Sequence, residues 1–126
     1  MATFDETILD NLEIELPSWA FGNSGTRFKV FGTPGTPRTI HEKIADAAKV
    51  NELTGLAPTV ALHIPWDTVD DYTALAAYAK DLGVGLGTVN SNTFQDDAYK
   101  FGSLTHTDKT VRQMAIDHHL ACIEVM

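Results

Sequence analysis

The feature that most constrains this chain is a recurrence: three times a strand-like run passes through a polar or glycine-rich loop into a helix-like run. Strands alternating with helices imply a parallel sheet joined by right-handed crossovers, because parallel strands need a connection that returns the chain to the same end. The expected fold class is therefore α/β.

The first unit opens with LEIEL, residues 12–16, whose apolar and acidic positions alternate as strand side chains do. The loop over 17–38 is long against the ~4–6 residues usual for such connections. It carries Trp19, Phe21, Phe28 and Phe31, which argue against disorder. Thr39-Ile40-His41-Glu42 reads as a capping box that starts a helix. Ile40, Ile44, Ala47, Ala48 and Leu53 form its apolar stripe, and Gly55 ends it. The second unit is the strand TVALHI, 59–64, followed by a helix capped at Asp67 or Thr68. Val69, Tyr72, Leu75, Ala76, Ala79 and Leu82 recur at helical spacing, and Gly83 terminates the run. The third joins VGLGTVN, 84–90, to a helix from Asp108 onward, with Val111, Met114, Ala115, Ala121, Cys122 and Val125 on its buried side.

The length of 126 residues and 44% hydrophobic content suit a single domain, 1–126, with a real core. Three parallel strands alone leave exposed edges and bury little, so this domain is expected to be part of a larger object. The closing ACIEVM, apolar helix without a C-cap glycine, reads as a chain stopping in mid-element. The net charge of −8, with nine Lys and Arg, argues against a nucleic-acid partner. No apolar run approaches the ~20 residues of a membrane span, and the acidic start MATFDETILD is unlike a signal peptide. A cytoplasmic location without membrane association is expected. Cys122, the lone cysteine, excludes an internal disulfide and a CxxC motif, and is expected to be a buried thiol.

In parallel α/β proteins ligands bind beyond the carboxyl ends of the strands. Trp19, His63, Trp66 and the stretch Asn90 to Phe94 fall at such ends. Glu13 and Glu15 stand earlier in their strand and are expected to solvate an end of the sheet. Alternation places Val60, Leu62 and Ile64 on one face and Ala61 and His63 on the other. His63 is then either a satisfied core histidine or, given Pro65, Trp66 and Asp67 beside it, an acid/base or hydrogen-bonding group of a site. Trp19 and Phe28 fit a core or an aromatic platform equally well. GNSGTR, 22–27, lacks the lysine and spacing of a phosphate loop. His41, His106, His118, His119 and Asp96-Asp97 lack metal-ligand spacing and are expected on the solvated surface. Ser18, Ser24, Ser91 and Ser103 have no sequence-level partner marking a nucleophile.

Taken in order, PSWAFGNSGTRF, VALHIPWD, VNSNTF and YKFGSLTHT resemble the amino-terminal part of the L-rhamnose isomerase family, related to xylose isomerase, from about Leu16 to Met126. The resemblance implies part of a (β/α)8 barrel and, for a full-length protein, aldose–ketose isomerisation with a divalent metal, commonly manganese, in a homotetramer. It implies that Trp19 and Phe94 wall the sugar, with Trp66 adding to the wall, and that His63 lies near the ring oxygen and O1. Phe28 resembles an aromatic that a neighbouring subunit inserts. The related xylose isomerases carry an aspartate where Trp66 stands, and Asp67 follows one place later, leaving a His63–Asp67 partnership open. The family's metal ligands have no counterparts here, so none is assigned and the chain alone is expected to be inactive. The alternative expectation is a non-catalytic half-barrel that binds sugar or assembles with another chain.

Overall fold

The computed structural model describes residues 7–22 and 32–126. It contains the short helix α1 (Thr7–Asp10), strand β1 (Glu15–Pro17), a 3-10 turn at Ser18–Ala20, α2 (Ile40–Thr54), β2 (Thr59–Ile64), α3 (Tyr72–Asp81), β3 (Gly85–Ser91), a second 3-10 turn at Asp97–Phe101, and α4 (Lys109–Val125). The strands form one parallel sheet in the order β1-β2-β3. Each strand is followed by a helix, as the recurrence predicts.

The expected first strand is shorter and later than LEIEL. Leu12 and Ile14 are exposed, and pairing begins only at Glu15, opposite Thr59. The capping box is present: Thr39 Oγ1 accepts from the Glu42 N–H while Glu42 Oε2 accepts from the Thr39 N–H. The Arg38 and Thr39 N–H groups, both donating to Oε2, hold the Glu42 carboxyl below its ordinary pKa. Gly55 ends α2 at φ 68°, in the left-handed region that favours glycine. Leu53 is a correction: it points to solvent at 76% exposure. The cap of α3 is Asp71, whose carboxylate accepts from Ala74 N–H, rather than Asp67 or Thr68. Asp67 is occupied elsewhere.

One core lies between the sheet and its helices. Ile40, Ile44, Ala47 and Ala48 from α2, Leu75 and Ala79 from α3, and Val60 and Leu62 from β2 are buried together with Val84. The face of α3 narrows to Leu75 and Ala79, because Ala76 and Leu82 are exposed. On α4, Ala115 and Cys122 are buried, while Met114 and Ala121 are exposed. Burial raises the Cys122 thiol pKa, which keeps it protonated and inert. Among the described residues no helix is long and apolar enough to cross a membrane.

Candidate functional site

Three parallel strands place their carboxyl ends along one edge of the sheet. Pro17 leads into the turn bearing Trp19, Ile64 into Pro65 and Trp66, and Ser91 into the loop bearing Phe94. These side chains converge on one imidazole. Trp66 stacks on His63, with ring centroids 3.8 Å apart and 15° between planes. Trp19 meets it edge-on at 5.4 Å and 76°, and Phe94 at 6.1 Å and 87°. Phe28 lies outside the described residues.

Histidine 63 is 5% exposed, whereas Trp66 and Phe94 are 48% and 63% exposed. The cluster is thus a sequestered imidazole beneath aromatic surfaces open to solvent. Burial drives the His63 pKa below its ordinary 6.5, the nearby Asp67 charge opposing that effect only in part. The ring is held neutral, with one nitrogen bearing a proton and the other a lone pair. Its Nδ1 is buried without a hydrogen-bond partner, the only such side-chain nitrogen or oxygen among the described residues. Leaving such an atom unpaired costs ~1–3 kcal/mol, an arrangement found at sites that gain a partner from a ligand or water.

The open question of His63 and Asp67 is answered by the backbone. Asp67 Oδ2 accepts from the His63 main-chain N–H at 2.8 Å and from the Ser18 hydroxyl, and Oδ1 accepts from Lys43 Nζ at 2.7 Å. The carboxylate serves the chain that carries the imidazole. Ser18 and Lys43 are the buried polar residues that pattern reading misses. Ser18 has no partner within reach in sequence, and a lysine in a helix reads as solvated unless its counter-ion is known.

Two further expectations are corrected. Glu15 does not solvate an end of the sheet: its carboxylate crosses β2 and accepts from the Thr88 N–H at 2.9 Å and from the Thr88 hydroxyl. The cause is a bulge. Val60 pairs with Leu86 but Leu62 with Val89, so an extra residue of β3 faces Ala61, and Glu15 satisfies the freed amide. Nor is His118 on the solvated surface, since its Nε2 accepts from the Asn92 N–H at 2.9 Å beside the Phe94 loop. Asp96 caps the second 3-10 turn through the Ala98 N–H.

Among the described residues no three His, Cys, Asp or Glu side chains converge as a metal-binding group.

No family model matches the chain. It is similar to a protein of Rhizobium meliloti (strain 1021) named "probable sugar isomerase", at 47% identity over 117 residues, covering 89% of this chain and 27% of that one. A protein of the same name from Mesorhizobium japonicum is 44% identical over 122 residues, covering 93% of this chain and 28% of its own length. The chain thus spans a little over a quarter of the length of the curated relatives it matches.

Proposed function

We propose that this chain forms the sugar-facing wall of an aldose–ketose isomerase, the whole protein interconverting L-rhamnose and L-rhamnulose in the cytoplasm on a (β/α)8 barrel. The carrying observation is the neutral, sequestered His63 with an unpartnered nitrogen, ringed by Trp19, Trp66 and Phe94 where three parallel strands end. Support comes from the two relatives named as sugar isomerases, and from the order of PSWAFG, VALHIPWD and VNSNTF along the chain.

Aromatic faces suit the apolar C–H side of a pyranose, while sugar hydroxyls require directional partners. Trp19 and Phe94 offer the platform, and the exposed part of Trp66 extends it. A neutral imidazole supplies both a donor and an acceptor, so His63 can hold a hydroxyl proton during ring opening and return it afterwards. Stacking on Trp66 fixes the plane in which that exchange occurs. The divalent metal implied by the family resemblance would take its ligands outside the described residues. This chain then contributes binding, orientation and proton handling. Phe28 serves a neighbouring subunit of a homotetramer in the same proposal.

The test is an isomerase assay on the longer protein that carries this sequence, with L-rhamnose and manganese. L-Rhamnulose should form, and His63→Gln should lower kcat by ~100-fold, within the range of one acid/base group. An active wild type whose rate is indifferent to His63→Gln would sink the role of the histidine, and a wild type inert on L-rhamnose would sink the substrate.

A further inference from the structure

Asp67 stands where the elements carrying the aromatic cluster meet. The residue is 1% exposed, and each of its carboxylate oxygens is committed. His63 lies beyond the last pair of β1 with β2, Pro17 opposite Ala61, so its main-chain N–H has no β1 partner. The Asp67 carboxylate takes that N–H, and the Asp67 N–H in turn donates to the His63 carbonyl at 2.8 Å. Both main-chain polar groups of His63 are therefore held by one residue. The same Oδ2 accepts from the hydroxyl of Ser18, the residue before Trp19, and Lys43 reaches in from α2 as counter-ion.

We propose that Asp67 is a positioning residue of the aromatic site, setting His63 through its backbone and Trp19 through Ser18, with Lys43 as its buried counter-charge. The inference rests on reading the cluster as the sugar site. Its geometry, however, is testable without sugar. An asparagine cannot replace the aspartate: in one orientation its amide faces the Lys43 ammonium, and in the other it faces the His63 N–H and the Ser18 hydroxyl. A carboxylate accepts all three. Removing one member of a buried pair also strands the other charge.

Trp19 and Trp66 are the only tryptophans, and both touch His63. Protonated imidazole quenches an adjacent indole, so tryptophan emission measured at micromolar concentration against pH reads the fit of ring to ring. Wild type should show a quenching step on acidification that His63→Gln abolishes. Asp67→Asn should at least halve that step and, with the carboxylate that raises the His63 pKa gone and the Lys43 charge left behind, move its midpoint to lower pH. Lys43→Arg, which keeps the charge and a donor, should retain the step. Leu75→Ala, which opens the core under α3 away from the cluster, should retain it despite lower stability.

An unchanged step in Asp67→Asn, or an equal loss in Leu75→Ala, overturns the proposal. Should Asp67→Asn fail to fold, Ser18→Ala in a Trp66→Phe background decides: the Trp19 step must shrink, and an unaltered step overturns the role. In the longer protein, Asp67→Asn should lower kcat/KM by ~100-fold, the scale set by ångström-level misplacement. A wild type inert on L-rhamnose whose emission step still collapses in Asp67→Asn overturns the sugar reading and supports the positioning role.

Discussion

At the scale of single residues, the chemistry of this chain is concentrated in two buried polar groups of opposite habit. Asp67 has every oxygen engaged, whereas His63 has a nitrogen engaged by nothing. The histidine carries a pH consequence whose sign follows from linkage. Its folded pKa lies below 6.5, so between that value and the folded one the unfolded chain binds more protons than the native one. The contribution is fully present above pH 6.5 and is lost as pH falls toward the folded value. Urea denaturation of wild type and His63→Gln at pH 7.5 and 5.5 checks this. Wild type should lose more stability than the variant across the interval, and parallel losses would show that His63 is not the group responsible. The strand end, the imidazole and Trp66 were legible in HIPWD, and Trp19 in PSWAFG, because their type and place were both unusual. Ser18 and Lys43 were not, since the partner that buries each lies 49 or 24 residues away in the chain.

At the scale of elements, local signals located the helices better than the strands. The capping box at Thr39 and the glycine at 55 bracket α2 because caps are contacts between residues three or four apart, written in contiguous sequence. Thr39→Ala should accordingly cost about 1 kcal/mol of stability, read from the shift of the denaturation midpoint at unchanged slope. The strands were less legible. Alternation in LEIEL extends over residues that β2 never pairs, and nothing in VGLGTVN announces the bulge opposite Ala61. The position of Gly87 becomes intelligible only in the fold, where a Cβ there would overlap the Glu15 carboxylate that bridges to Thr88. Gly87→Ala should therefore destabilise by ~1–3 kcal/mol, the usual cost of overpacking. Chemical denaturation measures it, and Glu15→Ala combined with Gly87→Ala should cost less than the sum of the two singles, because the clash is gone. Additive losses would mean that the carboxylate yields freely.

At the scale of the whole molecule, the parallel order and the βα rhythm were readable because crossover connections demand them, and relatives named as sugar isomerases share nearly the whole chain. The proposed (β/α)8 barrel would need more strands than the three described. Among the described residues, β1 and β3 each keep one edge unpaired, and α4 presents Ile116, Leu120 and Ile123 to solvent, with Met126 just after it. Unpaired edges beside apolar side chains are surfaces that proteins ordinarily cover. The 126-residue chain produced by itself should therefore bind a hydrophobic dye and elute from gel filtration ahead of a 13.7 kDa monomer. It should also fail to convert L-rhamnose with manganese, having no ligand set among its described residues. A longer protein carrying the sequence should be dye-negative and active, because further βα units would cover β3 and supply the missing carboxylates and histidines. The two arms separate the rival readings. A monomeric, dye-negative chain that binds L-rhamnose without turning it over would identify a self-sufficient half-barrel binder. An associating, dye-positive chain would mean that the proposed sugar wall is completed only when further βα units close against it.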